Sequence, residues 1–278
     1  IAFWRKQRIV LNCGHEFIAK RSSLWEQFEL LKGLFCHELS HEIHTDFTAF
    51  WQYEEELNHG TTQVDLSAIM PSHMVATLRA IKKFQGKGEM EKKAYEDVAL
   101  QLYNMLEDAY VEAAFFKKYP GALKESLEYV RSIQYEELME EIKTKPEGFE
   151  AYFLLMLCYA KYGVMPYVSW DKDQDRIEET KKLIKESCTK NDCLKKKQCV
   201  EKITILYWHE LNIYLEDQIK KQGMNAPKVS SLSALWEKEE TAFESKTEEE
   251  TNVEFGDIPK KNTITKRQQG KNEMVMEQ

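Results

Sequence analysis

The sequence lacks any apolar run of about 18 residues or more, and its N-terminus shows no signal peptide. The first absence argues against a transmembrane helix, since a helix must be largely apolar over that length to cross a bilayer. Positive charge is also in deficit, because 39 Lys and Arg face 47 Asp and Glu and leave a formal net charge of −8. This balance disfavours nucleic acid and anionic membranes as partners.

Cysteine is scarce, with six residues in a chain of 278. That number is too small for a disulfide scaffold in a chain of this length, so a reducing, cytoplasmic location is expected. Cys36 and Cys158 have apolar neighbours and are predicted to be small core residues. Cys188, Cys193 and Cys199 are spaced more widely than the paired cysteines of zinc knuckles, so a second metal site there is not favoured.

Helical periodicity dominates the sequence after a short N-terminal segment. Residues 8–19 are predicted to form two short strands about a turn near Asn12 to Gly14, and residues 54–71 are predicted to be irregular. Ser22 or Ser23 is predicted to cap the start of the first helix, and Glu26 lies three residues after Ser23, as in a capping box. The predicted helices are Ser23–Thr45, Ser72–Lys83, Glu89–Lys118, Leu123–Lys143, Phe149–Tyr162, Asp173–Ser187 and Leu194–Gln222.

Two further features of this pattern carry expectations about burial. Residues 149–162 are apolar on nearly every helical face, which predicts a centrally buried helix. The run Lys195-Lys196-Lys197 is interpreted as a solvated helix start. From residue 224 onwards polar residues dominate, and 224–278 is predicted to be a linker or disordered tail. The chain opens at Ile1 without Met, which is compatible with a fragment of a longer protein.

The segment His37-Glu38-Leu39-Ser40-His41 is an HExxH motif inside a predicted helix. Positions i and i+4 of a helix lie about 40° apart around the axis, so His37 and His41 share a face and can offer two imidazoles to one Zn²⁺. Glu38 is rotated by about 100° from His37, where it can act as the general base toward zinc-activated water. The motif predicts a zinc site with a catalytic Glu38.

Such a site needs a third protein ligand, and the nearest candidates on the same segment are poor. His44 stays on the same face as His37 but lies about 10 Å along the axis, too far for one tetrahedral metal. Asp46 points to the opposite side if the helix continues. A ligand from a remote segment is therefore needed.

The remote candidates are three acids on the predicted helix Glu89–Lys118. Glu107, Asp108 and Glu112 share one arc of the helical wheel, and no Lys or Arg stands between Lys93 and Lys117 to pair with them locally. One interpretation is a solvated acidic face. The other is a second metal-site helix, in which one carboxylate binds zinc and the next orients a ligand histidine.

The two motifs together resemble the predicted metallopeptidase region of cobaltochelatase CobT-like, von Willebrand A-associated proteins of bacteria and their mobile elements. The resemblance is carried by His37 to His41 followed by Thr45-Asp46-Phe47, and by Asn104-x-Leu106-Glu107-Asp108-x-x-x-Glu112, and it covers about residues 8–118. Tyr110 departs from the pattern, which usually has Arg at that position, so the ion pair that such an Arg could form with the acids is not expected here.

The resemblance implies His37 and His41 as zinc ligands, Glu38 as general base and Glu107 as third ligand. Asp108 and Glu112 are the alternatives for that third position. It also implies a zincin-like, gluzincin-like peptidase that acts on a protein or peptide substrate, with an AAA+ ATPase or a von Willebrand A domain as a possible partner. The Asp-x-Ser-x-Ser motif of that domain is absent from the sequence.

The predicted fold is mainly α: a zincin-like helical domain with a short N-terminal β-hairpin and a disordered polar C-terminal tail. The domain is expected to span 1–223, with the metal-site part at about 8–118 and a helical remainder at 119–223. The predicted function is a zinc-dependent metallopeptidase. The alternative is a non-catalytic helical interaction module whose zinc is structural or vestigial, in a chelatase-type, ATPase-type or mobile-element assembly. His209 is a weaker candidate for stabilising an oxyanion and is more simply an ordinary, partly buried histidine.

Overall fold

The computed structural model describes residues 2–5, 8–60, 72–168, 173–223 and 273–277, and this part of the chain is mostly helical. The mainly α fold class is confirmed. The strands are β1 (Ala2–Arg5), β2 (Arg8–Asn12) and β3 (Glu273–Glu277). The helices are α1 (Glu16–Ala19), α2 (Leu24–His44), α3 (Phe47–His59), α4 (Ser72–Gln85), α5 (Glu89–Lys118), α6 (Ala122–Thr144), α7 (Phe149–Tyr162), α8 (Gln174–Ser187), α9 (Cys193–Leu206) and α10 (Trp208–Gly223). No described helix has the length and apolarity that a membrane span requires.

The N-terminal hairpin is present, but it lies earlier in the chain than the sequence predicts. Strand β1 pairs with β2 in antiparallel register, and β3 pairs antiparallel with the other edge of β2. The predicted second strand is wrong, because residues 16–19 form helix α1. His15 begins that helix, since its Nδ1 accepts a hydrogen bond from the Phe17 N–H at 3.0 Å.

The C-terminal segment differs from the predicted tail in its last residues. Residues 273–277 form β3 rather than a disordered stretch, because their backbone groups pair with β2 from Arg8 to Asn12. The prediction for residues 224–272 and 278 lies outside the described residues.

Among the described residues, contacts define two compact units, one that contains residues 2–5, 8–39, 120–130 and 273–277 and one that contains residues 40–60, 72–119, 131–168 and 173–223. The boundary at Leu39 and Ser40 falls within α2, which is one continuous helix.

In the first unit, the N-terminal half of α2 packs on the start of α6. The capping box that begins α2 is confirmed, since the Ser23 N–H donates to Glu26 at 3.1 Å and the Glu26 N–H donates to Ser23 Oγ at 3.2 Å. Gly33 lies directly against α6, where a Cβ would overlap the backbone oxygen of Ser126. Glu29, one turn before Gly33 on α2, accepts a hydrogen bond from the Ser126 hydroxyl at 2.6 Å from Oε2.

In the second unit, α5 is the central element and contacts α3, α4, α7, α9 and α10. Its bounds are those predicted, and so are those of α7. The predicted central burial of α7 is confirmed, because most of its side chains are shielded from solvent. These buried residues are Phe149, Ala151, Tyr152, Phe153, Leu154, Leu155, Met156 and Cys158.

Two predicted features of the second unit are wrong. The segment from residue 54 is helical up to His59, because Asp46 begins α3 by accepting the Ala49 N–H at 3.0 Å; residues 61–71 lie outside the described residues. The single helix predicted for 194–222 is two helices, interrupted at Tyr207. The Tyr207 ring is buried, and its hydroxyl is 3.0 Å from Thr180 Oγ1, so the interruption places this ring in the core.

Candidate metal centre

His41 lies in the last full turn of α2, and polar groups face both of its ring nitrogens. Its Nε2 is 3.1 Å from Asp108 Oδ1 on α5, and its Nδ1 is 3.0 Å from the Thr45 hydroxyl. The Thr45 N–H also donates to the His41 carbonyl at 2.9 Å, which fixes Thr45 beneath the ring. A hydroxyl that accepts the Nδ1 proton leaves the Nε2 lone pair free to bind a metal, the arrangement typical of zinc-ligating histidines.

His37 precedes His41 by one turn of the same continuous helix, so helical geometry places both rings on one face. One potential ligand atom from each of His37, His41 and Asp108 lies within 4.8 Å of the other two. All three side chains are half-buried. Glu38, the residue after His37, is also half-buried.

These donors fit a zinc ion. Metal–ligand bonds of about 2.0–2.2 Å in a tetrahedron separate neighbouring ligand atoms by about 3.3–3.6 Å, slightly more than the 3.1 Å between His41 Nε2 and Asp108 Oδ1. Two imidazoles and one carboxylate form a ligand set that leaves a fourth position open, as catalytic zinc sites require. The same set also suits iron(II), so the donor types alone do not identify which divalent metal the group could hold.

The structure does not bring Glu107, the predicted third ligand, to the two histidines. Glu107 is buried and accepts a charge-assisted hydrogen bond from the Lys196 ammonium of α9. Lys196 is itself fully buried and lies over the Tyr110 ring, 4.5 Å from its centroid. Of the three acids that the sequence leaves open, Asp108 is the one that joins the histidines.

Glu112 is not part of the group of converging ligand atoms. Its carboxylate is almost completely buried and pairs with Arg131 and, at 3.1 Å, with Lys161. The interpretation of a solvated acidic face is therefore wrong for Glu107 and Glu112. Their cations come from α6, α7 and α9 instead of from α5 itself, which is why local spacing did not reveal them.

The other candidate residues from the sequence, Asp46, His44 and His209, do not belong to the group of converging ligand atoms. Asp46 is the N-cap of α3. His44 ends α2 with a buried Nε2 that has no hydrogen-bond partner among the described residues, and burial together with the Lys118 charge lowers its pKa. His209 lines a groove of about 670 Å³ that also contains Arg176, and no residue of the metal group lines that groove.

Sequence reasoning missed Lys196, which it assigned to a solvated helix start. A signal was present, because Lys196 stands three or four positions from Cys193, Cys199 and Val200 and therefore lies on the apolar face of α9. A cation on such a face needs a buried partner, and Glu107 is that partner.

Comparison with known proteins adds no relative, since no protein-family model, no curated protein and no solved structure matches the chain. The likeness to CobT-like metallopeptidases stays a prediction from the motifs.

Proposed function

We propose that the protein is a zinc-dependent hydrolase, a metallopeptidase in which His37, His41 and Asp108 hold the metal and Glu38 is the general base. The observation that carries the proposal is the convergence of these three ligand atoms within 4.8 Å. An HExxH helix supplies two of them, and a carboxylate from a second helix completes the set.

The bound zinc would polarise the peptide carbonyl and lower the pKa of water toward about 7. Glu38 accepts the proton that the attacking water loses and then donates it to the leaving amine. Asp108 and the His41–Thr45 pair have a different task, because they hold ligand atoms in place and take up no proton from the substrate.

Metal analysis is the direct test of the site. Protein purified without chelators should carry about one equivalent of zinc, and His37→Ala and His41→Ala should each lose it. Zinc content far below a stoichiometric amount in the wild type would refute the proposal, and so would unchanged content in both variants. Iron and manganese should be measured in the same samples, because the donor set also accepts those metals.

Catalysis is tested separately from metal binding. Glu38→Gln should keep zinc and lose hydrolysis of a diverse peptide library, since it removes the base and no ligand. Glu55→Gln, an exposed change on α3, is the matched control and should keep both zinc and activity. Equal hydrolysis by Glu38→Gln and the control would overturn the assignment of Glu38.

The alternative, a non-catalytic interaction module, requires a structural metal with four protein ligands. Two of the candidates for a fourth ligand are engaged elsewhere, since Asp46 caps α3 and Glu112 pairs with Arg131 and Lys161. Among the described residues, no fourth His, Cys, Asp or Glu ligand atom joins those of His37, His41 and Asp108, which supports an open coordination position and therefore catalysis. Membership of the CobT-like group belongs to the same proposal. Pull-down with this chain as bait tests for an AAA+ ATPase or a von Willebrand A partner.

A further inference from the structure

A chain of polar contacts joins the end of α2 to α5 beside the candidate metal centre. Asn191, in the segment between α8 and α9, donates from Nδ2 to the His44 carbonyl at 2.9 Å. Its Oδ1 accepts from the Lys196 ammonium at 3.3 Å, and the same ammonium donates to Glu107 Oε2. Two side chains thus connect the helix that carries His41 with the helix that carries Asp108.

Asn191 and Lys196 lie on either side of the point where α9 begins. Asp192 begins that helix by accepting the Lys195 N–H at 3.0 Å, and its carbonyl accepts the Lys196 N–H at 3.1 Å. Lys196 therefore lies in the first turn and faces α5, where its side chain is 0% exposed. Burying an ammonium is costly unless it is paired, so this lysine is held by Glu107, by Asn191 and by the Tyr110 ring.

The hydrogen bond from Asn191 to the His44 carbonyl satisfies a backbone group that the end of a helix leaves without an intrahelical partner. The last four carbonyls of a helix lack intrahelical partners, and the His44 carbonyl is the final one of α2. Asn191 satisfies it. Because His41 lies only one turn earlier, fraying of this terminus would displace the ring that faces Asp108.

We propose that Asn191 and Lys196 are positioning residues of the metal centre. Together with Glu107 and the His44 carbonyl they form a brace that holds the last turn of α2 against α5. The brace keeps His41 Nε2 near Asp108 Oδ1, and neither Asn191 nor Lys196 touches metal or substrate. This inference rests on the proposed metal site, and it explains why Glu107 is engaged with a lysine although it adjoins Asp108.

Asn191→Ala is the cleanest test, because the residue is exposed and its truncation leaves the buried Lys196 ammonium still paired with Glu107. Zinc affinity, measured by competition with a chromophoric chelator, should fall about tenfold, the lower end of the range for groups that orient metal ligands. The cobalt-substituted protein should show a changed d–d spectrum, a sign of altered ligand geometry. Asn212→Ala is the control, because the Asn212 side chain bonds within its own helix. A zinc affinity of Asn191→Ala within twofold of wild type, like that of the control, would overturn the brace.

Lys196 needs a charge-neutral test, because Lys196→Met alone leaves Glu107 buried without its cation and risks misfolding. The double variant Glu107→Gln/Lys196→Met removes both charges and should fold. Its zinc affinity should fall as in Asn191→Ala, and adding Asn191→Ala should cost less than the sum of the two effects, as expected for coupled residues. Fully additive losses would contradict a single brace.

A metal-free measurement separates this inference from the proposed function. Hydrogen–deuterium exchange at residues 41–45 of the chelator-treated protein should be faster in Asn191→Ala than in wild type, and unchanged in Asn212→Ala. If the wild type binds no zinc but exchange is still faster in Asn191→Ala, the proposed function is refuted and the brace is retained. Zinc-binding protein with equal exchange in all three forms refutes the brace alone.

Discussion

The Nε2 atom of His41 lies 3.1 Å from Oδ1 of Asp108, although the two residues belong to different helices. As a direct hydrogen bond, this contact requires a proton on Nε2. As two ligands of one metal, it requires the proton on Nδ1, where the Thr45 hydroxyl can accept it. The same geometry thus makes different demands on the imidazole with and without metal, and those demands can be measured.

Asp108→Ala should lower zinc affinity at least a hundredfold, because it removes one of three protein ligands. Glu107→Gln should keep stoichiometric zinc with a loss of affinity of about tenfold at most, since it removes no ligand and the amide oxygen can still accept from Lys196. Circular dichroism checks that the variant folds without the carboxylate partner of Lys196. Zinc content after dialysis and chelator competition measure both effects. The reverse result, with zinc lost in Glu107→Gln and kept in Asp108→Ala, would restore Glu107 as the ligand.

Thr45→Val should weaken zinc binding about tenfold, because it removes the acceptor that holds the Nδ1 proton of His41 while keeping the shape of the side chain. Thr45→Ser keeps the hydroxyl and should behave like wild type. Nitrogen-15 NMR of the imidazole should show the Nδ1–H form on zinc addition to wild type. Equal zinc affinity in the valine and serine variants would argue against this role for Thr45.

Most of the long helices and the HExxH motif were predictable because they depend on local spacing. The bounds of α5 and α7 follow from apolar periodicity and from the Gly and Pro residues beyond them. His37 and His41 share a face in any helix, so their pairing needs no tertiary information.

The third ligand was not predictable in the same way. Glu107 and Asp108 are adjacent on one helix, and the choice between them depends on the rotation of α5 and on which acid a distant cation reaches. Lys196 stands on α9, far along the sequence, and its pairing with Glu107 leaves Asp108 for the histidines. The pairing of β3 with β2 was not predictable either, because it joins segments that lie far apart in the sequence.

Glu112→Ala should destabilise the fold by about 3–5 kcal/mol, because it leaves the charges of Arg131 and Lys161 without their buried counter-ion. Urea unfolding of the metal-free protein measures the loss. Glu128→Ala, which removes an exposed partner of Lys124, is the control and should cost less than about 1 kcal/mol. Similar costs for the two variants would show that the buried cations find other partners.

Glu201 should make stability depend on pH. Burial raises the pKa of its carboxyl from 4.5 to about 7, against the opposing attraction of Lys82 and Lys197. The folded state then binds this proton more tightly than the unfolded state, so the free energy of unfolding falls as pH rises from 4.5 through 7. The cost, on the order of 3 kcal/mol, is absent below pH 4.5 and complete above about 7.

Glu201→Gln removes this titration, so the variant should gain stability relative to wild type across that pH window. Urea unfolding of metal-free protein at several pH values measures the difference, and Glu136→Gln, an exposed change, serves as control. If the free energies of unfolding of wild type and Glu201→Gln changed in parallel with pH, the pKa of Glu201 would be the same in the folded and unfolded states.

Gly33→Ala should destabilise the protein even though alanine is the better helix former. The gain in helix propensity is about 1 kcal/mol. The new Cβ, however, would overlap the backbone oxygen of Ser126 and Cγ2 of Val130. A backbone atom cannot rotate away as a side chain can, so α2 and α6 must separate, and overpacking of this kind costs about 1–3 kcal/mol. Gly86→Ala is the control, because its Cβ would meet only ordinary contacts. The sign of the change in thermal unfolding decides the matter: a more stable Gly33→Ala protein would mean that the two helices do not approach this closely in solution.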